Sequence, residues 1–309
     1  RTPEGTSWLT VTAPDLTTSA VEEIGHRLTD PPKVPEPAGP RHYQVRSDTE
    51  PDRWCRAVAD AADAVAAGRL EKVVLAREVT VVADRPLRPS VVARHLRTSQ
   101  PTCMVFAVDG FVGASPELLV ERRGIDVRSH PLAGTAATAA PVGSGEAVLL
   151  SSSKDLEEHR LVVDAVTAAL GPYCDDLRVP ATPSVVPVGG LVHLGTAIEG
   201  LLRPPGPNVL ELVGAMHPTP AVGGTPTATA LDYIAEVERL DRGRYAGPVG
   251  WMDGAGDGCW AVGIRSAQIS GRRARLLAGA GVVAGSDPVA ELAETEMKLQ
   301  PMLAAIVRP

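Results

Sequence analysis

From Pro51 the apolar residues recur at helical spacing through AVADAADAVAAGRL, and the pattern closes near Gly68. KVVLAREVTVV then reads as a strand, because β-branched residues dominate it. A helix over about 89–98 follows, then strands CMVFAV and GFVGAS, joined by Asp109-Gly110, a dipeptide suited to a tight hairpin. ELLVERRGIDVRSHPLAG reads as a second hairpin around Arg123-Gly124. Residues 135–147 are small and patternless, which predicts a mobile loop. Helical spacing resumes from about Ser152 to Leu170. Beyond a Pro-rich link come LVHLGTAIEG, a helix near 207–214, the turn MHPTPAVGGTP and a helix over 226–240. GPVGWMD, CWAVGIRSAQIS and RRARLLAGAG are expected as successive strands. At the start of the chain, SWLTVTA suggests a short strand within about residues 1–12, and DPPKVPEPAGPR an extended connector over 30–41. Helices scattered among antiparallel strands, without an internal repeat, predict an α+β fold with large sheets.

The last stretch, AGAGVVAGSDPVAELAETEMKLQPML, combines a glycine-softened strand end, a turn, and a helix opening at Ser286 with Asp287 and Pro288 in its first turn. Glu291, Glu294 and Lys298 stand at i, i+3 and i+7, within about 60° of one another on one face. Val289, Leu292, Leu299 and Leu303 form a separate stripe expected to pack inward. The carboxylates and the ammonium fit half of a site for an anionic substrate and a hard cation. They equally fit a solvated face with i, i+4 charge pairing, and spacing does not separate Glu291 from Glu294.

On the 152–170 helix, steps of about 100° put Glu158 inside the arc of Val162, Ala165, Val166, Ala169 and Leu170, whereas Glu157 points away. A carboxylate on the buried side needs a counter-charge or a metal, so Glu158 is a candidate ligand or half of an ion pair with Lys154 or an arginine. Glu117 follows Pro116 at a strand end beside Leu118 and Leu119, where burial would suit a general acid and exposure would make it ordinary. Lys72 starts a strand, where a solvated lysine tip is the common outcome. Arg265, expected inside the strand CWAVGIRSA, implies an anionic partner. His193 and His217, expected at the edges of turns, lack a neighbouring nucleophile, so a hydrolase triad is unsupported.

Composition narrows the class. The 309 residues are 44% hydrophobic with net charge −7, enough for a sizeable core in one large domain or two. No run of about 18 apolar residues suggests a membrane span, and no basic cluster suggests nucleic acid. Cys55, Cys103, Cys174 and Cys259 form no CxxC pair, which predicts free thiols and a cytoplasmic protein. Arg1 in place of Met predicts further residues upstream. The glycines of AGAG lack dinucleotide-fingerprint spacing.

KVVLARE, GASPELLVER, HPLAGT, SSSKDLEEHRLVVDAV, HLGTAIEG, MHPTPAVGGTP, DRGRYAGPVGW, VGIRSA and AGAGVVAGSDPVAELAETEMKL occur in that order. Together they resemble the chorismate-utilising enzymes over about residues 70–303. MHPTPAVGGTP and GRYAGPVGW are similar to the isochorismate synthase branch; Thr227 stands where the salicylate-forming and amine-transferring branches usually carry Lys.

The resemblance implies a single chorismate-binding catalytic domain over 1–309, with two large antiparallel sheets sandwiched by helices. It implies conversion of chorismate to isochorismate by a monomer that uses Mg2+ and serves menaquinone, siderophore or salicylate formation. It further implies Lys72 as the base that activates water for attack at C2, and Glu117 as the acid that protonates the departing C4 hydroxyl. Glu158 and Glu294 match metal ligands, with Glu291 beside them; Arg265, Gly279, Gly134 and Lys298 match substrate contacts. Salicylate synthase is the alternative activity, an aminase with a glutaminase partner a weaker one, and a chorismate-binding pseudoenzyme the alternative class. AATAAPVGSGEA lacks the arginines and length usual after LAGT, and Cys259 replaces a usual Glu.

Overall fold

The longest β-branched run of the sequence is the middle of a sheet. β2 (Lys72–Ala83) is buried at every position but Val82, so both of its faces are covered, and a largely apolar run, broken by Arg77 and Glu78, replaces strict alternation. The structure is a computed structural model that describes Glu23 and residues 38–138 and 144–307. Contacts divide the chain into units Arg1–Ala38 and Gly39–Pro309, and the elements below belong to the second. The strand expected within residues 1–12 and most of the 30–41 connector lie outside the described residues.

β2 sits beside β1 (Tyr43–Ser47) and β16 (Arg273–Val282). The sheet continues through β15 (Ser266–Ser270), β4 (Phe111–Ser115) and β3 (Met104–Val108), and β12 (Gly224–Thr225) pairs with β2 at the outer end. A six-stranded sheet runs in the order β13 (Pro248–Met252), β14 (Gly258–Val262), β5 (Leu118–Arg123), β6 (Asp126–His130), β11 (Ile198–Leu202), β8 (Cys174–Arg178). β7 (Leu132–Ala137), β10 (Leu191–Gly195) and β9 (Ser184–Val188) form a smaller third sheet. Neighbouring strands pair antiparallel throughout the three sheets. The expected α+β class with two large antiparallel sheets is therefore observed.

Parity along β2 and β16 separates core from site. Val73, Leu75, Val79 and Val81 of β2, with Leu276, Ala278, Ala280 and Val282 of β16, pack against helices. Those helices are α1 (Pro51–Ala66), α2 (Pro89–Ser99), α6 (Thr227–Glu238) and α7 (Pro288–Val307). The intervening residues, Lys72 and Val74 on one strand and Leu277, Gly279 and Gly281 on the other, are left for the opposite side. α3 (Ser144–Ser151) packs on the small sheet, α4 (Ser153–Leu170) spans the small sheet and the six-stranded one, and α5 (Val209–Met216) packs on the six-stranded one.

The chain passes between sheets at four short crossings: Pro116-Glu117, Pro131, Thr196-Ala197 and Gly263–Arg265. This corrects the reading of CWAVGIRSAQIS as one strand. Its halves are β14 and β15 in different sheets, and Arg265 lies in the break with φ 51°.

Other boundaries also differ from expectation. Residues 135–137 continue β7 and residues 144–147 open α3, so the 135–147 stretch is not coil throughout. The Pro-rich link contains β8 and β9. Arg123 pairs with Asp126, which places the second hairpin turn at Gly124-Ile125. α7 is capped by Asp287, whose Oδ1 accepts from the Ala290 N–H at 2.8 Å. Ser286 Oγ instead accepts from Val283 N. Val289 is 70% exposed, so the expected stripe does not begin there. The four cysteines are free. Among the described residues no helix is long and apolar enough to cross a membrane.

Candidate active site

A cleft of about 640 Å3 opens between the free side of β2 and β16 and the sheet crossings. Glu117, Gly134, Glu158, Arg265, Gly279 and Lys298 line it. Lys72, Glu291 and Glu294 are not part of that lining; ion pairs join Lys72 to the lining residue Glu158 and Glu294 to the lining residue Lys298, whereas Glu291 pairs with Lys154 outside it. Residues nearly two hundred positions apart in sequence thus meet because β2 and β16 are paired along ten positions.

Glu117 occupies the β4-to-β5 crossing. Its main chain is fixed by Ser115 Oγ, which accepts from the Glu117 N–H at 3.2 Å, and by Val262 N, which donates to the Glu117 carbonyl at 3.1 Å. The side chain is buried. Burial pushes its carboxyl up to about 7, against the downward pull of Lys72, the Leu132 N–H, Lys298 and Arg265. Near neutral pH such a group holds a proton for a sizeable part of the time and can deliver it, as a general acid requires.

Arg265 reaches the cleft from the β14-to-β15 crossing, and its Nη2 lies 3.0 Å from His193 Nε2. On the other side of the ring, Nδ1 lies 3.2 Å from the Gly134 carbonyl. A guanidinium only donates and a carbonyl only accepts, so the proton sits on Nδ1 and Nε2 offers its lone pair. Burial, reinforced by Arg265 and Lys298, holds His193 well below the ordinary histidine range, so the ring is neutral. His193 therefore orients the arginine without adding charge.

Lys72 is fully buried, contrary to the ordinary expectation for a strand-start lysine. Its backbone pairs with Thr225 of β12, and its side chain lies against Glu158 of α4 and Gly281 of β16. Nζ lies 3.0 Å from Glu158 Oε1 without the alignment of a hydrogen bond. Burial drives the Glu158 carboxyl upward, but Lys72, Lys154 and Lys298 outweigh it and hold it below the ordinary range. Helical phase correctly separated buried Glu158 from exposed Glu157. The partner, however, comes from β2 rather than from the neighbouring Lys154.

Gly281 makes this pair possible: a Cβ there would stand 2.1 Å from Glu158 Oε1 and 2.9 Å from Lys72 Cε. Gly281→Ala is expected to force the pair apart and to lower turnover at least about a hundredfold. Full turnover with a parent-like melting temperature would contradict the close-packing argument.

The two remaining carboxylates lie on the first two turns of α7. Glu294 pairs with Lys298, which also donates to the Gly279 carbonyl at 3.0 Å. Glu291 is buried and bonded to Lys154, which corrects the solvated-face alternative for that position. Burial, then the charges of Glu294 and Glu158, push the Glu291 carboxyl up against the opposing pull of Lys154.

A family model described as chorismate binding enzyme matches residues 8–307. The chain belongs to the chorismate-binding enzyme family. It is 44% identical over 278 residues to isochorismate synthase DhbC of Bacillus subtilis, an alignment that spans 85% of this chain and 70% of that protein. It is 40% identical over 254 residues to isochorismate synthase EntC of Escherichia coli, across 80% and 65% of the two chains. The solved structure of MenF, the menaquinone-specific isochorismate synthase of Escherichia coli, superposes with a TM-score of 0.80. That match has 30% identity and covers 94% of this chain and 68% of the other.

For a chorismate-binding enzyme, a cation fits the donor chemistry of this cleft. Glu158, Glu291 and Glu294 offer only carboxylate oxygens, the ligand type that hard divalent ions prefer. Like charges close enough to raise Glu291 are what such an ion relieves. Among the described residues no three such groups already converge as a ready cage; each carboxylate instead faces a lysine.

His193 is the functional candidate that sequence reasoning passed over. It stands in mid-strand rather than at a turn edge, and a histidine inside the apolar run LVHLG was the available signal. Tyr245 was also passed over, and Lys154, weighed as a partner of Glu158, pairs instead with Glu291. Tyr245 lines the cleft, with burial pushing its hydroxyl up to about 12. Thr227 is exposed at the start of α6 and does not line the cleft.

Proposed function

We propose that this chain is an isochorismate synthase that adds water at C2 of chorismate as the C4 hydroxyl leaves. The observation that carries the reading is Glu117, an acid with a carboxyl near 7, facing a cleft that also presents Arg265 and Lys298 to an anion. In the proposed reaction Lys72 acts as the neutral amine, not as the ammonium paired with Glu158, and takes the proton of a water whose oxygen bonds to C2. The double bonds shift, the C4–O bond breaks, and Glu117 donates the proton that lets the hydroxyl depart as water. One water enters and one leaves, so substrate and product are isomers.

Arg265, steadied by neutral His193, receives the enolpyruvyl carboxylate, while Gly279, Gly134 and Lys298 shape the remaining contacts. Glu158 and Glu294 are the proposed Mg2+ ligands, with Glu291 beside them. When bound, the ion neutralises the ring carboxylate and favours electron withdrawal through the diene. Lys154 and Lys298 stay available to balance these carboxylates. The protein is proposed to act as a monomer on the small molecule alone, as one catalytic domain in the cytoplasm.

Incubation of the purified protein with chorismate and Mg2+, with chromatographic identification of products, tests the reading. Isochorismate is expected. Salicylate with pyruvate would assign the chain to the salicylate-forming alternative, and binding without turnover would make it a pseudoenzyme. Glu294→Gln is expected to raise the Mg2+ concentration for half-maximal activity at least about tenfold. An unchanged metal titration would refute Glu294 as a ligand.

A further inference from the structure

Glu238 ends α6, and Arg239 follows it in the left-handed region with φ 51°, turning the chain back so that Arg242 meets Glu238. The two side chains are well buried, at 2% and 17% exposure, and neither lines the cleft. Arg242 Nε donates to Glu238 Oε2 at 2.9 Å, and Nη2 donates to Oε1. The same guanidinium donates through Nη1 to the Val222 carbonyl at 2.8 Å and through Nη2 to the Val74 carbonyl at 2.7 Å. Glu238 Oε1 also accepts from the Ala76 N–H at 2.6 Å.

Both carbonyls belong to residues whose side chains form an apolar wall of the cleft, together with Ala221. The turn carrying Ala221 and Val222 is also held within itself, where the Val222 and Gly223 N–H groups donate to the Thr219 carbonyl at 3.1 and 3.0 Å, and by strand pairing. β12 contributes two paired positions, Gly224 with Val73 and Thr225 with Lys72, and the Val74 N–H donates to the Gly223 carbonyl at 2.7 Å. Ala76, the third backbone group held by the pair, lies opposite Gly279, whose carbonyl takes the Lys298 ammonium. A planar guanidinium bound at both ends fixes the separation of two main-chain oxygens, which a flexible ammonium does not.

We propose that Glu238 and Arg242 are a positioning pair that sets the apolar wall of the cleft, and thereby substrate affinity, without touching substrate. This rests on the assignment of the cleft to chorismate. Among the described residues no hydrogen bond or ion pair joins the pair directly to α4 or to Glu291 and Glu294 of α7, so its main effect is expected on the substrate side of the site.

Steady-state kinetics of Arg242→Lys, Glu238→Gln and their double variant, each with an Mg2+ titration and a melting curve, test the proposal. KM for chorismate is expected to rise about tenfold in each single variant, and the half-saturating Mg2+ concentration to stay within about twofold of the parent. The double variant is expected to be no worse than the poorer single one, since either change breaks the same unit. Val222→Ala, which loosens the same wall without altering the pair, is expected to give the same split. Glu238→Asp, which keeps the charge and withdraws the carboxylate, carries the test if either polar replacement folds poorly.

A KM within about twofold of the parent in folded variants would overturn the proposal, as would KM and the Mg2+ constant rising together. So would additive losses in the double variant, or a Val222→Ala enzyme with unaltered KM. Failure of the unaltered protein to consume chorismate would instead refute the functional assignment, which separates the two claims.

Discussion

Glu117→Gln is expected to lower kcat about a thousandfold while leaving KM for chorismate near the parent value. The magnitude is that of a positioned general acid, which contributes about two to four powers of ten. The selectivity follows from shape: Gln fills the same space, and its side-chain oxygen still accepts from the Leu132 N–H that faces the carboxyl. Only the transferable proton is lost. The pH dependence has a definite sign. The active form of Glu117 is protonated, and burial pushes its carboxyl up to about 7. kcat/KM in the parent is therefore expected to fall as pH rises through that value, about tenfold per unit well above it. The residual activity of the Gln variant is expected to lack this limb. A variant within about tenfold of parent kcat, or one that keeps the limb, would remove Glu117 as the acid.

The second large effect concerns Lys72→Met, which removes the proposed base and the nearest counter-charge of Glu158 together. Turnover is expected to fall about a thousandfold or more. Unlike Glu117→Gln, this change also carries a stability cost, because a carboxylate with 10% exposed side chain loses a partner at 3.0 Å. Breaking a buried pair from one side costs about 3–5 kcal/mol. The lower end applies, since Lys154 and Lys298 still act on Glu158. Lys72→Met/Glu158→Gln removes both charges and is expected to recover most of the stability, measured by urea unfolding without metal, but none of the activity. Recovery of neither would show that the loss came from packing. Turnover within about tenfold of the parent in the single variant would exclude Lys72 as the base.

Glu158 was legible because helical phase is local: about 100° per residue fixes which side of α4 a carboxylate occupies once its apolar neighbours are known. Glu117 was legible as a strand-end carboxylate, but its burial was not. Burial there is set by the crossing to the next sheet and by Leu132 from a third. Lys72 shows the same limit more sharply. Its local sequence describes a strand start, and the residues its side chain lies against, Glu158 of α4 and Gly281 of β16, are distant in sequence.

Arg265 was noticed for a partly mistaken reason. The run around it is apolar enough to pass for one strand, and nothing in its periodicity marks the passage from one sheet to another. The alternation of β2 and β16 between core and cleft was hidden because the cleft side carries apolar and small residues such as Val74, Leu277, Gly279 and Gly281, while Arg77 interrupts the core side of β2. The Glu238–Arg242 pair stood at ordinary i, i+4 spacing. Its reach to the carbonyls of Val74 and Val222 is a property of the tertiary structure alone.

The most direct test of the account is conversion of chorismate by the Mg2+-loaded protein in 18O-labelled water, with the position of label in the product read by mass spectrometry and NMR. The account predicts isochorismate carrying solvent oxygen in its C2 hydroxyl, from the first turnover. Isochorismate whose C2 hydroxyl carries no solvent oxygen, or accumulation of salicylate and pyruvate in its place, would contradict it.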